Sequence, residues 1–143
     1  MTRTIAILED NEPRVAEMRA WLAEALPDCE VIFFDNANEI IAWLSEHLAR
    51  VSLISLDHDL LLRTADGRWV DGGTGREVVD FLVRSAPACP VLVHSSNEVA
   101  AQGMLGVLRK NKWKCAQVHR YEDVSWIRQA WAEAVARLVD DLR

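Results

Sequence analysis

Short apolar runs alternate with longer amphipathic stretches along the 143-residue chain. The runs are too short for typical buried helices, so each of them predicts a strand that is covered on both faces. In the longer stretches the apolar residues repeat at helical spacing. Strands are expected at 4–8, 31–34, 51–56, 90–93 and 114–118, with a helix after each and the last helix from about residue 124. This order predicts an α/β domain in which helices cover both faces of a parallel sheet.

The segment between the third strand and the third helix, residues 61–73, is unusually long for a strand-to-helix connection. Asp66 followed by Gly67 predicts a tight hairpin turn within it. Thr74 and Glu77 have the spacing of a capping box. A helix is therefore expected to begin there, with free amides that can face an anion.

Length and composition limit both the fold and its partners. Residues 1–143 suit a single domain with a sizeable core. The formal net charge of -6 argues against bulk nucleic-acid binding, which needs clustered cations. Cys29, Cys89 and Cys115 form no metal-binding or disulfide pattern. Without a secretory leader or a membrane-length apolar run, a cytoplasmic protein that does not bind membranes is expected.

Polar side chains that can bind ions or transfer protons collect directly after the predicted strands. Because the carboxyl ends of parallel strands meet at one edge of a sheet, where open α/β sheets bind their ligands, these side chains are expected to surround one crevice. They are Glu9 and Asp10 after the first strand, Asp57, His58 and Asp59 after the third, His94, Ser95, Ser96 and Asn97 after the fourth, and His119 and Arg120 after the fifth.

These residue types predict chemistry on a phosphate ester. The carboxylates of Glu9, Asp10 and Asp57 suit Mg²⁺, or Mn²⁺, because such an ion is usually held by a few carboxylates and a phosphate. His94 is expected as the leading acid or base, since imidazole titrates near neutral pH. The further catalytic candidates are Asp57, His58 and Asp59, and the candidates for binding phosphate oxygens are Ser95, Ser96, Asn97, Thr74, Gly75, His119 and Arg120.

Together these motifs resemble a response-regulator receiver domain. The resemblance spans nearly the whole chain and rests on Glu9 and Asp10 after strand one, Asp57 after strand three, and Ser95 or Ser96 after strand four. It implies a three-layer, doubly wound, five-stranded parallel sheet of the flavodoxin-like order 2-1-3-4-5. In that family the acidic pair and the strand-three aspartate bind Mg²⁺, and that aspartate accepts phosphate. A strand-four Ser or Thr and a strand-five Lys contact the phosphoryl group.

Two features depart from an ordinary receiver. His119 and Arg120 stand near the end of strand five, where a receiver would have its Lys. The motifs LDHDL, GTGRE and HSSN are instead similar to a divergent receiver-like group that has been proposed to process cyclic phosphates. That likeness implies roles in such chemistry for Asp57, Asp59, His94, Ser95, Ser96 and Asn97.

Each candidate also has a structural interpretation. Asn97 is an ordinary helix cap, and Thr74 and Gly75 can simply begin a helix. His58 can point away from the crevice, because neighbouring residues of a strand face opposite sides. Trp69 lies in the long segment, where it can cover a ligand ring by stacking. The other tryptophans mostly follow helical stripes, which predicts packing.

Three functions remain open at this point. An enzyme would hydrolyse or rearrange a cyclic or strained phosphate ester. A receiver would accept a phosphoryl group on Asp57 from a signalling partner, and an interaction module would bind a partner protein through a helix face. The missing Lys and the added histidines favour the first function, with a small phosphate ester as the ligand.

Overall fold

A computed structural model describes residues 2–140. Five parallel strands form one sheet in the order β2-β1-β3-β6-β7, which confirms the predicted order 2-1-3-4-5. Within residues 2–140, no helix combines the length and apolarity needed to cross a bilayer. The strands of this sheet are β1 (Thr4–Leu8), β2 (Glu30–Phe34), β3 (Leu53–Leu56), β6 (Val91–Ser95) and β7 (Cys115–His119).

Helices cover both faces of the sheet. Strand residues alternate between two buried clusters, so that Ala6 packs toward one face and Ile5 toward the other. The first cluster lies under α2 (Ala37–His47), α3 (Gly75–Leu82) and α4 (Glu98–Lys110), and the second under α1 (Glu12–Ala25) and α5 (Ala130–Val139). These contacts form the three-layer architecture that the sequence predicts.

The long segment before α3 is a β-hairpin that stands apart from the main sheet. Its strands are β4 (Asp59–Arg63) and β5 (Trp69–Thr74), which pair antiparallel with Leu62 opposite Val70. Gly67 takes a φ of +85°, a left-handed conformation that glycine adopts without a steric penalty. The hairpin turn predicted at Asp66-Gly67 is therefore confirmed. Because β4 begins only two residues after Asp57, the hairpin rises directly beside the predicted crevice.

Two element boundaries differ from the prediction in ways that affect the site. β6 continues to Ser95, so His94 lies inside a strand instead of after it. The last helix does not begin at Val124: a single 3₁₀ turn spans Ser125–Ile127, and α5 begins at Ala130. The apolar spacing over this region is continuous, which explains why the break is invisible in the pattern alone.

Candidate functional site

Three carboxylates meet where β1 and β3 end. Glu9, Asp10 and Asp57 each place an oxygen within 4.8 Å of the other two. Glu9 and Asp57 are buried, while Asp10 is half-buried and accepts a hydrogen bond of 2.7 Å from the amide of Leu61 in the hairpin. The side chains that the sequence predicts as metal ligands are thus brought together, and one of them also fixes the base of the hairpin.

The two oxygens of Asp57 have different surroundings. Oδ1 accepts a hydrogen bond of 2.8 Å from the amide of His58 and lies 3.6 Å from Nε of Arg120. Oδ2 is buried and has no hydrogen-bond partner among residues 2–140. A buried carboxylate oxygen without a partner is costly, so this atom is the clearest sign that a ligand completes the site.

Burial and mutual repulsion shift the pKa values of the three carboxyl groups. Burial, followed by the negative charge of Glu9, raises the pKa of Asp57 to about 6. Burial also raises the pKa of Asp10 above its ordinary value. Burial opposes ionisation of Glu9 as well, but its hydrogen bond with His94 and its contacts with Arg14 and Asn11 outweigh burial and lower its pKa. A cation between these groups would relieve the repulsion.

Oxygen donors alone form this cluster, which is the ligand set that hard divalent cations prefer. The cluster contains three carboxylates with oxygens within 4.8 Å of one another, and it includes Oδ2 of Asp57, which has no partner among residues 2–140. The donor set and spacing therefore fit a divalent metal.

A cationic side chain also lies close to Asp57. Arg120, directly after β7, donates from Nη2 to Oγ of Ser96 over 3.0 Å. Its Nε is buried beside Asp57 and makes no hydrogen bond within the described chain. Arg120 thus brings a positive charge to the place where the resemblance implies a Lys. Nε of Arg120 therefore lies near the same carboxyl group whose Oδ2 has no partner among residues 2–140.

The side chain of His58 contacts a carboxylate, which in turn contacts an amide. Its Nδ1 lies 3.0 Å from Oδ1 of Asp59, and Oδ2 of Asp59 accepts a hydrogen bond of 3.3 Å from Nδ2 of Asn97. The side chain of His58 is 16% exposed, so solvent can reach it. Asn97 also caps α4 through Oδ1, which fixes the outer end of this chain of contacts.

His94 lies in the packed interior instead of facing the crevice. Its ring is 0% exposed, stacks near Trp126 and has contacts at both nitrogens. Nδ1 lies 2.7 Å from Oγ of Ser55, and Nε2 lies 3.1 Å from Oε1 of Glu9. This position corrects the expectation that His94 faces the ligand, because a strand residue next to helix-covered Leu92 and Val93 must point into one of the two helical layers. Its hydrogen bond to the acidic cluster is made with Glu9.

Two expected phosphate contacts have partners inside the protein. The amide of Thr74 donates to Glu77 over 3.1 Å, and the amide of Gly75 donates to the carbonyl of His58 over 2.9 Å. The capping box predicted from Thr74 and Glu77 is confirmed, but its amides do not point toward an anion. A Cβ at Gly75 would lie 2.1 Å from the carbonyl oxygen of Asp57, so Gly75 serves close packing.

Two other candidates lie at the margin of the site. Ser95 is buried, and its Oγ accepts a hydrogen bond of 3.0 Å from the amide of Asn97. His119 is exposed and packs against the ring of Tyr121 at a centroid distance of 4.6 Å. The side chains close to Asp57 include Arg120, which contacts Ser96, and the carboxylates of Glu9 and Asp10.

Sequence reasoning missed two buried residues that support the site. Ser55 lies in the middle of a strand that is apolar on both sides, and Trp131 lies on the buried face of α5. A lone hydroxyl in an otherwise apolar strand is a readable signal, since buried polar groups need partners. Its partners are distant in sequence, which is why the contact itself was not predictable.

Glu9 and Asp10 also line a surface depression of about 810 Å³. Most of the remaining lining residues come from α1 and β2. The apolar part of the lining consists of Val15, Ala16, Ala20, Ala23, Phe33 and Phe34. The depression offers room for the organic part of a ligand whose charged group lies at the cluster.

Solved structures with the same fold belong to response regulators. The phosphorylated cyanobacterial phytochrome response regulator RcpA is 18% identical, with a TM-score of 0.75 over 100% of this chain and 98% of that chain. The Mn²⁺-bound response regulator Rcp1 is 17% identical, with a TM-score of 0.72 over 99% of this chain and 97% of that chain. The response regulator domain of Thermotoga maritima CheB is 11% identical, with a TM-score of 0.68 over 100% of both chains.

Comparison with curated protein sequences gave no match. Residues 5–110 match the family described as cyclic-phosphate processing receiver domain. The matched part includes the three clustered carboxylates and the hairpin, while Arg120 lies beyond it. Since the match spans most of the chain and the fold and acidic cluster agree with it, this protein belongs to the cyclic-phosphate processing receiver domain family.

Proposed function

We propose that this domain binds a divalent cation and a phosphate group at Asp57 and opens cyclic phosphate esters by adding water. One observation carries the proposal: two neighbouring buried atoms have no hydrogen-bond partner among residues 2–140. They are the acceptor Oδ2 of Asp57 and the donor Nε of Arg120, and both lie beside the carboxylates of Glu9 and Asp10 or their neighbour Asp57. A cation on one side and a phosphate oxygen on the other would satisfy both atoms.

Glu9, Asp10 and Asp57 are the residues that would hold the cation, which we expect to be Mg²⁺ or Mn²⁺. When bound, such an ion polarises a phosphate oxygen and offsets the charge of the ester. The organic part of the ester would then lie in the depression between α1 and β2, which begins at Glu9 and Asp10.

Arg120 and Ser96 supply the donors for the phosphate. The guanidinium carries several N–H groups in a fixed fork, and one of them already contacts Ser96. Because Nε lies 3.6 Å from Oδ1 of Asp57, a phosphate oxygen that binds Nε would lie beside Asp57. Because an Arg fork fits phosphate geometry, Arg120 can take the place of a Lys without loss of charge.

His58 is the side chain best placed for proton transfer. Asp59 orients its imidazole, and Asn97 orients Asp59, which is the arrangement of a general base with its supporting groups. In the proposed reaction His58 removes a proton from water, the water oxygen bonds to phosphorus, and the ring P–O bond breaks. The leaving oxygen takes the proton from His58, which gives a phosphate monoester with a free hydroxyl group.

Phosphorus NMR tests this proposal directly. The protein is incubated with 2′,3′-cyclic and 3′,5′-cyclic nucleotides, with Mg²⁺ and with EDTA. We expect Mg²⁺-dependent conversion to monoesters by the wild type, and loss of conversion in Asp57→Asn and His58→Gln. His47→Gln is the matched control, because His47 lies on α2 outside the acidic cluster, where it contacts the Trp43 carbonyl and ring. Absence of conversion by the wild type across the panel would overturn the proposed reaction.

A second candidate function is phosphoacceptance by Asp57. The free Oδ2 at the end of β3 favours it, as does the likeness to the phosphorylated structure of RcpA. Intact-mass measurement after treatment with acetyl phosphate and Mg²⁺ separates the two functions. A phosphate adduct that disappears in Asp57→Asn, without ester turnover, would favour phosphoacceptance. With neither adduct nor turnover, the interaction-module interpretation would remain.

A further inference from the structure

Four buried side chains, three from α5, β3 and β6 and one from the residue directly after β1, form a hydrogen-bonded chain through the protein. Nε1 of Trp131 on α5 donates to Oγ of Ser55 on β3 over 3.0 Å. The same Oγ lies 2.7 Å from Nδ1 of His94 on β6, whose Nε2 lies 3.1 Å from Oε1 of Glu9 after β1. The exposed fraction of each residue is 1% or less.

One set of hydrogen-bond directions satisfies all of these groups. The indole N–H of Trp131 only donates, so Oγ of Ser55 accepts it. In this set the hydroxyl hydrogen of Ser55 is donated to Nδ1 of His94, and Nε2 of His94 donates to Glu9. Every polar atom of the chain has a partner in this arrangement, as buried polar groups require.

Packing alone does not explain the chain. Ser55 and His94 follow Leu53 and Leu92 on the same buried face, where apolar side chains would fill the space without needing partners. The chain ends on a carboxylate that belongs to the acidic cluster. The other oxygen of Glu9 accepts a bond from the amide of Asn11 and lies 3.3 Å from Nε of Arg14. Glu9 is therefore held from both sides.

We propose that His94, supported by Ser55 and Trp131, is a positioning residue that holds the carboxylate of Glu9 in place for the divalent cation. This inference rests on the cation site of the proposed function, and it identifies the buried residues that hold one ligand of that site in place. A fixed carboxylate binds a metal more tightly than a mobile one, because less orientational freedom is lost on binding. Helix α5 thereby becomes physically connected to the acidic cluster.

Two substitutions at His94 separate the contact with Glu9 from the contact with Ser55. In His94→Gln the side-chain amide reaches the place of Nε2 and can still donate to Glu9. In His94→Asn the shorter amide lies near the place of Nδ1, so it keeps Ser55 as a partner but loses Glu9. We expect Mn²⁺ affinity close to that of the wild type in His94→Gln. In His94→Asn it should fall roughly 10- to 100-fold, as for other lost supporting groups.

Electron paramagnetic resonance of free Mn²⁺ measures these affinities with the metal as the only probe. Val135→Ala is the matched control: Val135 is buried on α5 in the same cluster but lies outside the chain of hydrogen bonds. It should lower the melting temperature without changing Mn²⁺ affinity. If His94→Asn does not fold, His94→Leu removes the donor to Glu9 with an apolar side chain that suits the buried position. A reduced Mn²⁺ affinity is again expected.

Nuclear magnetic resonance gives a signature that a purely structural role would not produce. The indole N–H signal of Trp131, assigned with Trp131→Phe, should shift when Mg²⁺ is added to the wild type and stay unchanged in His94→Asn. Equal Mn²⁺ affinity in the wild type and His94→Asn would overturn the positioning role while leaving the cation site intact. No Mn²⁺ binding by the wild type would overturn the cation site and this inference together.

Discussion

His58 and His94 each pair with a carboxylate beside Asp57, yet their surroundings are opposite. His58 lies at the rim, where its imidazole is 16% exposed and faces the exposed Asp59. His94 is 0% exposed and its two nitrogens are bound to Ser55 and Glu9. Under the proposed function, His58 exchanges a proton with the ligand and His94 does not. Burial and hydrogen-bond partners, and not residue type, separate the roles that we propose for the two histidines.

Asp57 lies between these two regions and is influenced by both. The exposed region supplies the backbone amide of His58, and the buried region supplies the negative charge of Glu9. The buried region thus holds charge in place, while the exposed region contains the groups that can move a proton. Four predictions test this division, in order of decreasing expected effect.

Substitution of the two histidines by glutamine should have very different effects on ester turnover. In His58→Gln we expect a loss of roughly 100- to 10,000-fold in kcat, the usual contribution of a general acid or base. In His94→Gln the donor to Glu9 is retained, so kcat should remain close to that of the wild type. Steady-state phosphorus NMR or a coupled phosphatase assay measures both. A larger loss in His94→Gln than in His58→Gln would reverse the assignment.

Removing the charge of Asp57 should stabilise the metal-free protein at high pH. The pKa of about 6, against an ordinary 3.8, means that the folded state keeps a proton that the unfolded chain loses. The stability that this protonated group contributes is fully present below about pH 3.8 and is lost as pH rises through 6. The difference between the two pKa values corresponds to on the order of 3 kcal/mol in the free energy of unfolding. Asp57→Asn should therefore be more stable than the wild type at pH 8.

Urea denaturation in EDTA at pH 4 and pH 8 checks this prediction. The advantage of Asp57→Asn should be small at pH 4 and largest at pH 8. Mg²⁺ should stabilise the wild type at pH 8 far more than it stabilises the variant, because the ion binds the ionised carboxylate. An advantage of equal size at both pH values would contradict the raised pKa.

Two glycine substitutions test how tightly the exposed region is fixed to the sheet. In Gly75→Ala the new Cβ would meet the carbonyl oxygen of Asp57 at 2.1 Å and Met104 at 2.8 Å. We expect a loss of about 1–3 kcal/mol in the free energy of unfolding, together with weaker metal binding. Gly106→Ala is the control: Gly106 lies in α4, and a Cβ added there would meet no atom within 4 Å among the described residues beyond its own stretch of helix. It should stabilise the protein by about 0.5–1 kcal/mol.

Two helix caps allow the outermost contact of His58 and Asp59 to be tested. Asn97 and Asn36 cap α4 and α2 through similar hydrogen bonds of 3.1 and 2.9 Å. Alanine at either position should cost about 1 kcal/mol of stability. Only Asn97→Ala should also reduce ester turnover, because only Asn97 contacts Asp59. Equal turnover in the two variants, measured at a temperature where both are folded, would remove Asn97 from the proposed site.

Much of the fold was predictable because its signals are local. The strand order follows from the alternation of strands and helices and from a family resemblance, and Asp66-Gly67 marked the hairpin turn. The meeting of Glu9, Asp10 and Asp57 was predictable for a related reason: parallel strands end at one edge of a sheet. The break before α5 was not predictable from the sequence, because one 3₁₀ turn leaves the apolar spacing almost unchanged.

The sequence by itself determined the α/β order, the hairpin and the placement of three carboxylates at one sheet edge, because spacing and strand direction alone specify them. Only the tertiary structure decided which way His94 points, which partners take the amides of Thr74 and Gly75, and that Arg120 lies beside Asp57. These outcomes depend on contacts between residues far apart in the chain. When both faces of a strand are covered, the local pattern is the same whichever layer a polar residue enters.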